Sequence, residues 1–369
     1  MEKISPDLKY VQRVMQDLLD IPSPVGFTDE AVRYTCNELE RLGIPFEMTR
    51  RGAIRADLKG DVESPDRAIV AHLDTLGAMV RKLQDNGRLG LTPIGTWSSR
   101  FAEGARATVY TDKAHIEGTI LPIKASGHIY NEEIDTLPVS WETVELRVDH
   151  AVYDADDLAE LGINVGDVVA LAPETRFTDT GFVCSRYLDD KAGVAVLLGV
   201  AREALRHKIK LPVDCHLLFT ISEEVGSGAS AVLHGDISEM VTIDAGPSGP
   251  GHNTDEFGVT VCMKDSSGPF DYHLTHKLLR LCEEHGICHK RDVFRYYRCD
   301  SASAIEAGND IRTALVCFGT DATHGYERCH KESLNALGEL LGLYLQSKPT
   351  FKRDREELSS LKGFSKLPV

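Results

Sequence analysis

A histidine and an aspartate follow an apolar run near the start of the chain, where residues 67–75 read RAIVAHLDT. The run has the length and the β-branched content of a buried strand. Side chains alternate along a strand, so His72 and Asp74 are expected on the same face. A buried histidine beside a carboxylate is either a core residue with a paired charge or part of a reactive centre. The pair alone leaves both interpretations open.

Acidic residues and histidines also follow the other predicted strands at their carboxyl ends. The candidates are Asp189 and Asp190 at the end of GFVCSRYLDD, Glu223 and Glu224 after HLLFTIS, Asp244 at the end of MVTID, and His324 and His330 after TALVCF. Taken singly, each has a structural explanation, because Asp often caps a helix or begins a turn. Ligands of open α/β sheets, however, bind outside the carboxyl ends of the strands. The pattern therefore predicts that these side chains converge on one crevice.

Such a cluster of carboxylates needs cations, because like charges would otherwise repel one another and retain protons. Two histidines and three carboxylates are one ligand set for a pair of zinc-like ions, and the same donors suit Co or Mn. We expect Asp189, at a tight strand-to-helix turn, to bridge the two ions. Of the neighbours Glu223 and Glu224, one can bind metal while the other takes a proton from water. Asp74 fits a role behind His72, accepting the free ring N–H of that histidine.

The elements around these residues alternate between helices and strands, which favours an α/β fold with a mixed sheet sandwiched by helices. From about residue 76 to residue 180 the pattern changes to short strand-like segments separated by turn signals. We therefore predict a small β-rich, barrel-like domain at residues 76–180. This domain is inserted into a catalytic domain formed by residues 1–75 and 181–369.

The composition argues against several classes of function. The 369 residues include 42% hydrophobic residues, enough for sizeable cores, and carry a net charge of −16. This charge argues against nucleic acid and against an anionic membrane surface as partners. The amino-terminal residues lack a signal-peptide pattern, and the longest apolar run, residues 192–201, is too short to span a bilayer. Nine scattered cysteines without a CxxC pair predict a reduced, cytoplasmic protein.

Several segments, in this order, resemble the cocatalytic-metal aminopeptidases that assemble into hollow tetrahedral particles. That family includes glutamyl and deblocking aminopeptidases and proteins once labelled endoglucanases. The segments are HLDTLGAMV, LTPIGTWSSR with GARATVYT, RYLDDKAG, ISEEVGSGA, IDAG and CDSASA. The resemblance implies that His72, Asp189, Glu224 and Asp244 bind metal, and that Glu223 is the catalytic base.

The last ligand departs from the family pattern. Relatives usually carry Arg-Tyr-x-His followed by Ser or Thr and Pro, whereas this chain reads THGYERCHKESL. His330 directly precedes the final predicted helix, as the family's ligand does, so we expect it to bind metal, with His324 as the alternative. The resemblance also implies a cis peptide bond between Asp189 and Asp190. Together with the strand edges expected of a β-rich insert, it predicts a homo-oligomer of twelve subunits built from dimers, with contacts through the inserted domain.

The substrate is expected to be a small peptide. The departures from the family resemble a subgroup associated with the osmolyte N-acetylglutaminylglutamine amide, which implies activity on that dipeptide or a related one. The leading hypothesis is an exopeptidase with two divalent metal ions. A deacylase with the same ions would release acetate instead of an amino acid, and an inactive metal-binding scaffold would tolerate the loss of Glu223. An acid beside the metal ligands that is not itself needed as a ligand favours an enzyme.

Overall fold

The strands of the protein form one large sheet and one small barrel. The computed structural model describes residues 1–356 and 358–367. The sheet contains β1 (Phe46–Met48), β2 (Ile54–Leu58), β3 (Asp66–His72), β10 (Arg176–Phe177), β11 (Phe182–Ser185), β12 (Cys215–Thr220), β13 (Ile237–Pro247), β14 (Val259–Lys264), β15 (His289–Val293), β16 (Arg312–Asp321) and β17 (Glu327–His330). The barrel contains β4 (Gly77–Leu83), β5 (Leu89–Ile94), β6 (Arg106–Tyr110), β7 (His115–Pro122), β8 (Val144–Val148) and β9 (Val168–Leu171).

Most of the helices accompany the sheet. They are α1 (Leu8–Leu19), α2 (Asp29–Leu42), α3 (Gly127–Tyr130), α4 (Ala155–Glu160), α5 (Leu188–Arg206), α6 (Tyr272–His285), α7 (Asp300–Glu306) and α8 (Lys331–Gln346). Helix α5 packs against β3 and β13 and also contacts α1 and α8, whereas α7 packs against β13 and β16. None of the helices in the described residues is long and apolar enough to cross a membrane.

The centre of the sheet is parallel. The strands run in the order β1-β2-β12-β3-β13-β16-β17-β11-β10, with β14 and β15 attached at β16. The pairs β12/β3, β3/β13 and β13/β16 are parallel, and β2/β12 is antiparallel. Every residue of β3 and β12 is buried, as expected for parallel strands covered on both faces. This explains why their sequences read as continuous apolar runs.

The predicted fold class is confirmed: a mixed sheet packed by helices carries an inserted β-rich barrel. The two units have separate apolar cores. The six barrel strands close in the antiparallel order β4-β5-β8-β7-β6-β9, and β9 pairs again with β4. Because the barrel is closed, each of its strands pairs with a neighbour on both sides. The barrel therefore lacks the open strand edges that we expected another subunit to cover. Strand β10 falls within residues 76–180 but pairs with β11 of the sheet.

Candidate metal centre

Three parallel neighbours in the sheet, β12, β3 and β13, bring their carboxyl ends to one edge. His72 is the last residue of β3, and the turn Glu223–Val225 follows β12. Asp244 lies near the end of β13, and Asp189 lies in the first turn of α5. The structure therefore brings these residues together in the crevice where open α/β sheets bind ligands.

Asp189 lies between two histidines. Its Oδ1 is 3.0 Å from Nε2 of His72, and its Oδ2 is 3.7 Å from Nε2 of His324. Two further carboxylates each lie near one of these histidines. Asp244 Oδ1 lies 3.9 Å from His72 Nε2, and Glu224 Oε2 lies 3.5 Å from His324 Nε2. Two sets of nitrogen and oxygen donors thus share one carboxylate, an arrangement suited to a pair of neighbouring cations.

His72 is oriented by the backbone of Asp74. Its Nδ1 lies 2.9 Å from the Asp74 carbonyl oxygen, so Nδ1 donates its proton there and Nε2 is directed at Asp189. The prediction that the Asp74 carboxylate accepts this proton is wrong, because Oδ1 of Asp74 is 3.8 Å from Nδ1. Strand β3 ends at His72, so the alternation assumed for Asp74 does not extend to it.

The carboxylate of Asp74 has a different contact. Its two oxygens accept the backbone N–H groups of Glu223, at 3.1 Å, and of Glu224, at 3.0 Å. Asp74 is fully buried, so these bonds compensate for taking its polar atoms out of water. Asp74 therefore fixes the turn that carries both glutamates.

The structure places His330 away from this cluster, and the expectation that it lies among the carboxylates is wrong. Its Nε2–H donates to the carbonyl oxygen of Thr180 at 3.0 Å, and its Nδ1 accepts the N–H of Glu332 at 3.2 Å. The ring also packs against Phe182 and Phe257, with centroids 4.8 and 4.9 Å away. Because one nitrogen donates and the other accepts, no lone pair remains for a metal. His330 caps α8 and fills a packing position.

His324, the alternative, occupies the position expected of the last ligand. Its Nδ1 lies 2.9 Å from the carbonyl oxygen of Thr96, which follows β5 of the barrel. This bond places the ring proton on Nδ1 and directs Nε2 towards Asp189 and Glu224. His324 has a φ of 64°, an uncommon backbone conformation for a residue other than glycine.

The acidic groups of the centre are crowded and buried. Burial and the charge of Asp244 raise the pKa of Glu223 well above its usual range, and burial and the charge of Asp189 do the same for Glu224. Burial and Asp189 raise the pKa of Asp244 to about 7. Burial alone would lower the pKa of His72, but Asp189 and Asp244 raise it well above its usual value. Without cations, the cluster must therefore hold protons.

The residues present fit two divalent cations. They supply imidazole nitrogens and carboxylate oxygens, the donors that zinc, cobalt and manganese take from proteins. Beside them, Asp190 accepts the N–H of His72 at 3.2 Å through Oδ2, while its buried Oδ1 has no partner among the described residues. The peptide bond between Asp189 and Asp190 is cis, so that implication of the resemblance is confirmed.

Glu327 supports the centre and was not predicted. Its Oε2 accepts the N–H of Asp189 at 3.1 Å, and its Oε1 accepts the N–H of His324 at 3.0 Å. Burial and the charge of Asp189 raise the pKa of Glu327 to about 8. Glu327 thus holds the backbone of two residues that face each other across the site. Its sequence context, an acid between tyrosine and arginine, carries no signal of this role.

A cleft opens beside the centre between the barrel and the sheet. It contains about 330 Å³ of empty space, including its open mouth. Its lining residues include Asp189, Glu224 and His324 of the centre, together with Leu76, Trp97, Phe101, Leu171, Arg186 and Tyr187. The cleft therefore combines apolar surface with a few polar groups, as small-molecule sites do.

The fold and the site define a metal-dependent hydrolase, and comparisons with known proteins identify the family. The family model for M42 glutamyl aminopeptidases matches residues 52–340. The chain belongs to this M42 family and is a metallo-aminopeptidase, that is, a metal-dependent exopeptidase. The family depends on a dinuclear metal centre, and two overlapping groups of close donor atoms in the described residues are candidates for it: His72 with Glu223 and Asp244, and His72 with Asp189 and Glu224.

Individual relatives agree with this assignment. The chain is 37% identical over 341 residues to "Putative aminopeptidase YhfE" of Bacillus subtilis strain 168, which covers 92% of this chain and 98% of the relative. A TET aminopeptidase from the marine sediment archaeon Thaumarchaeota archaeon SCGC AB-539-E09 shares the fold with a TM-score of 0.83 at 18% identity, covering 91% and 96% of the two chains. The TET1 peptidase of Pyrococcus horikoshii has a TM-score of 0.79 at 20% identity, covering 92% and 100%.

Proposed function

We propose that this chain releases residues from short peptides by means of two divalent cations that share Asp189. The observation that carries the proposal is that the two oxygens of Asp189 face two different histidines, His72 and His324. One cation would be held by His72, Asp189 and Asp244, and the other by Asp189, Glu224 and His324. Zinc is the first choice, with cobalt or manganese as alternatives.

When bound, such cations lower the pKa of a coordinated water and polarise the scissile carbonyl. The chain supplies the proton transfer. We assign it to Glu223, whose Oε2 lies 3.9 Å from Nε2 of His72 and which is not paired with His324. A carboxylate with a raised pKa can take the proton of the attacking water and then pass it to the leaving amine. Asp74 positions Glu223 through the backbone.

The roles of the two glutamates are separable by matched substitutions. Glu223→Gln should lower turnover by ~10²–10⁴-fold, the usual cost of removing a general base, and should keep the wild-type metal content. Glu224→Gln should lower both turnover and metal content. Metal is measured by elemental analysis and turnover on the same samples. The opposite pattern would exchange the two roles, and full activity of Glu223→Gln on every hydrolysed peptide would refute the mechanism.

Membership of the aminopeptidase family, together with a cleft beside the centre that is lined by apolar and polar side chains, supports a short peptide as substrate. We propose a dipeptide or tripeptide, and the osmolyte N-acetylglutaminylglutamine amide is one candidate. A panel of free and N-acetylated peptides, including this one, distinguishes the possible reactions by their products. An exopeptidase releases a free amino acid or amino acid amide, whereas a deacylase releases acetate. If acetate were the only product, the protein would be a deacylase and the exopeptidase proposal would be wrong. If no peptide gave a product, the result would favour an inactive metal-binding scaffold.

We also propose a homo-oligomer of twelve subunits built from dimers. The support is structural similarity to proteins such as the Pyrococcus horikoshii TET1 peptidase, which can assemble into a tetrahedron or a large octahedral shell. The inserted domain exposes apolar side chains that an assembly could cover, including Ile129 at 73% and Val165 at 67% exposure. Light scattering of the full chain measures the mass. A stable monomer at micromolar concentration would contradict the proposal.

A further inference from the structure

A second group of side chains with donor atoms suited to a metal lies at the opposite end of β12 from the centre described above. Asp57 Oδ1 is 2.7 Å from Nδ1 of His216 and 3.6 Å from Nε2 of His234. One donor atom from each of the three residues lies within 4.8 Å of those of the other two. His216 is near the start of β12, and the paired glutamates follow its end. His216 lies four residues before Thr220, which pairs with His72, so about 13 Å of strand separates the two sites.

The backbone around these three residues holds them in place. Asp57 and His216 are directly opposite each other in the β2/β12 pair, so their side chains lie on the same face. Arg55, two residues earlier on β2, donates from its guanidinium to the carbonyl oxygens of Ala231, Val232 and Leu233, at 3.0, 2.6 and 3.1 Å. These bonds attach the segment that carries His234 to the same strand. The donor set is therefore largely preorganised.

A buried carboxylate completes the surroundings. Oδ2 of Asp66 is 3.2 Å from Nε2 of His216, on the side of the ring opposite to Nδ1 and Asp57. A carboxylate behind a histidine in this way fixes the tautomer that binds metal. Asp66 is 6% exposed, and its other oxygen, Oδ1, is buried with no hydrogen-bond partner in the described part of the chain. Buried polar atoms without a partner are uncommon in proteins and call for an explanation.

We propose that Asp57, His216 and His234 bind one divalent cation of the zinc, cobalt or nickel class, with Asp66 orienting His216. Two imidazoles and one carboxylate leave a fourth position for solvent, which reaches the site because the Asp57 and His234 side chains are 32% and 25% exposed. A cation here would join β2, β12 and the segment before β13, far from the peptidase centre. Its role would be structural.

The nearest alternative needs no metal. His216 could carry a positive charge and lie between Asp57 and Asp66 as a simple ion pair. His234 argues against this alternative, because its Nε2 lies 3.6 Å from the same oxygen of Asp57, so that a second imidazole shares this oxygen with His216. Two imidazoles and one carboxylate whose donor atoms lie this close together form a metal-binding arrangement.

The test is a difference in metal stoichiometry between matched variants of the full-length protein. Wild type, His234→Ala, Asp57→Asn and His252→Ala are brought to equilibrium with buffered zinc by dialysis, and bound zinc per chain is counted by elemental analysis. His252 is the matched control, because it lies 3.4 Å from a single carboxylate, Asp292, at a similar exposure of 26%. The proposal predicts that His234→Ala and Asp57→Asn each bind one zinc ion fewer than wild type and His252→Ala.

Peptidase activity serves as the second measurement. All four proteins should hydrolyse a short peptide at equal rates, because the altered residues lie outside the peptidase centre. Circular dichroism confirms folding, and if Asp57→Asn does not fold, His234→Ala alone decides. Equal zinc counts in wild type and folded His234→Ala would overturn the proposal and leave His216 as an ion-paired core histidine.

Discussion

Substituting the two late histidines separately should have opposite effects, because His324 faces carboxylates and His330 does not. His330→Ala removes the side chain that caps α8 and two aromatic contacts, with Phe182 and Phe257. A helix cap is worth ~0.5–2 kcal/mol and an aromatic contact ~0.5–1.5 kcal/mol. We therefore expect His330→Ala to lower the free energy of unfolding of the metal-free protein by about 1.5–5 kcal/mol and to retain the wild-type metal affinity of the folded protein.

His324→Ala should do the reverse. Its side chain is 36% exposed and makes one hydrogen bond, to the Thr96 carbonyl, so its removal should cost the metal-free protein less than ~1.5 kcal/mol. Loss of a residue that hydrogen-bonds a metal ligand typically lowers metal affinity ~10–100-fold. Loss of the ligand itself should lower the affinity further. Urea unfolding after chelation measures stability, and competition with a chromophoric chelator measures affinity. A His324→Ala protein that binds metal as wild type does, or a His330→Ala protein that loses it, would refute this reasoning.

Two further predictions concern buried acids. Glu327→Gln should lower metal affinity by ~10–100-fold without removing a ligand, as measured by the same chelator competition, and an unchanged affinity would show that Glu327 does not position the centre. At Glu239, burial alone would raise the pKa, but Arg67 and Lys277 lower it to about 2. Because the folded-state pKa lies below the usual 4.5, Glu239 contributes about 3 kcal/mol above pH 4.5 that is lost as the pH falls towards 2. Glu239→Gln should therefore lose less stability than wild type between pH 5 and pH 2 in urea unfolding, and parallel pH profiles would contradict this.

The sequence was sufficient for the features that follow from local pattern and strand order. The apolar run before His72 predicted a buried strand, and all seven residues of β3 are buried. Parallel strands end at a common edge, so the convergence of Asp189, Glu224 and Asp244 followed from the alternation of helices and strands. The change of pattern after residue 76 likewise predicted the inserted β-rich unit.

Other features depend on contacts between distant segments. The choice between His324 and His330 rests on a hydrogen bond from His324 to Thr96, 228 residues earlier, and on the packing of His330 against two phenylalanines. Position relative to the last helix favoured the wrong histidine because it carries no information about these contacts. The bonds of Asp74 to the paired-glutamate turn likewise join segments about 150 residues apart.

The second group of donors could not be predicted for the same reason. Asp57 and His216 lie 159 residues apart and meet only through the register of an antiparallel strand pair. The position of His234 beside them depends on the hydrogen bonds of Arg55 to three carbonyl groups. No spacing in the sequence corresponds to this geometry, because common zinc patterns place ligands close together along the chain.

The central claim, that Asp189 joins two cations held by His72 and His324, is tested most directly by anomalous X-ray diffraction at the zinc edge from crystals grown with zinc. The account predicts two anomalous peaks roughly 3.5–4 Å apart on either side of the Asp189 carboxylate, one within bonding distance of His72 and Asp244 and the other of His324 and Glu224. A crystal saturated with zinc that shows no peak at Asp189, or shows the metal bound to His330, would contradict it.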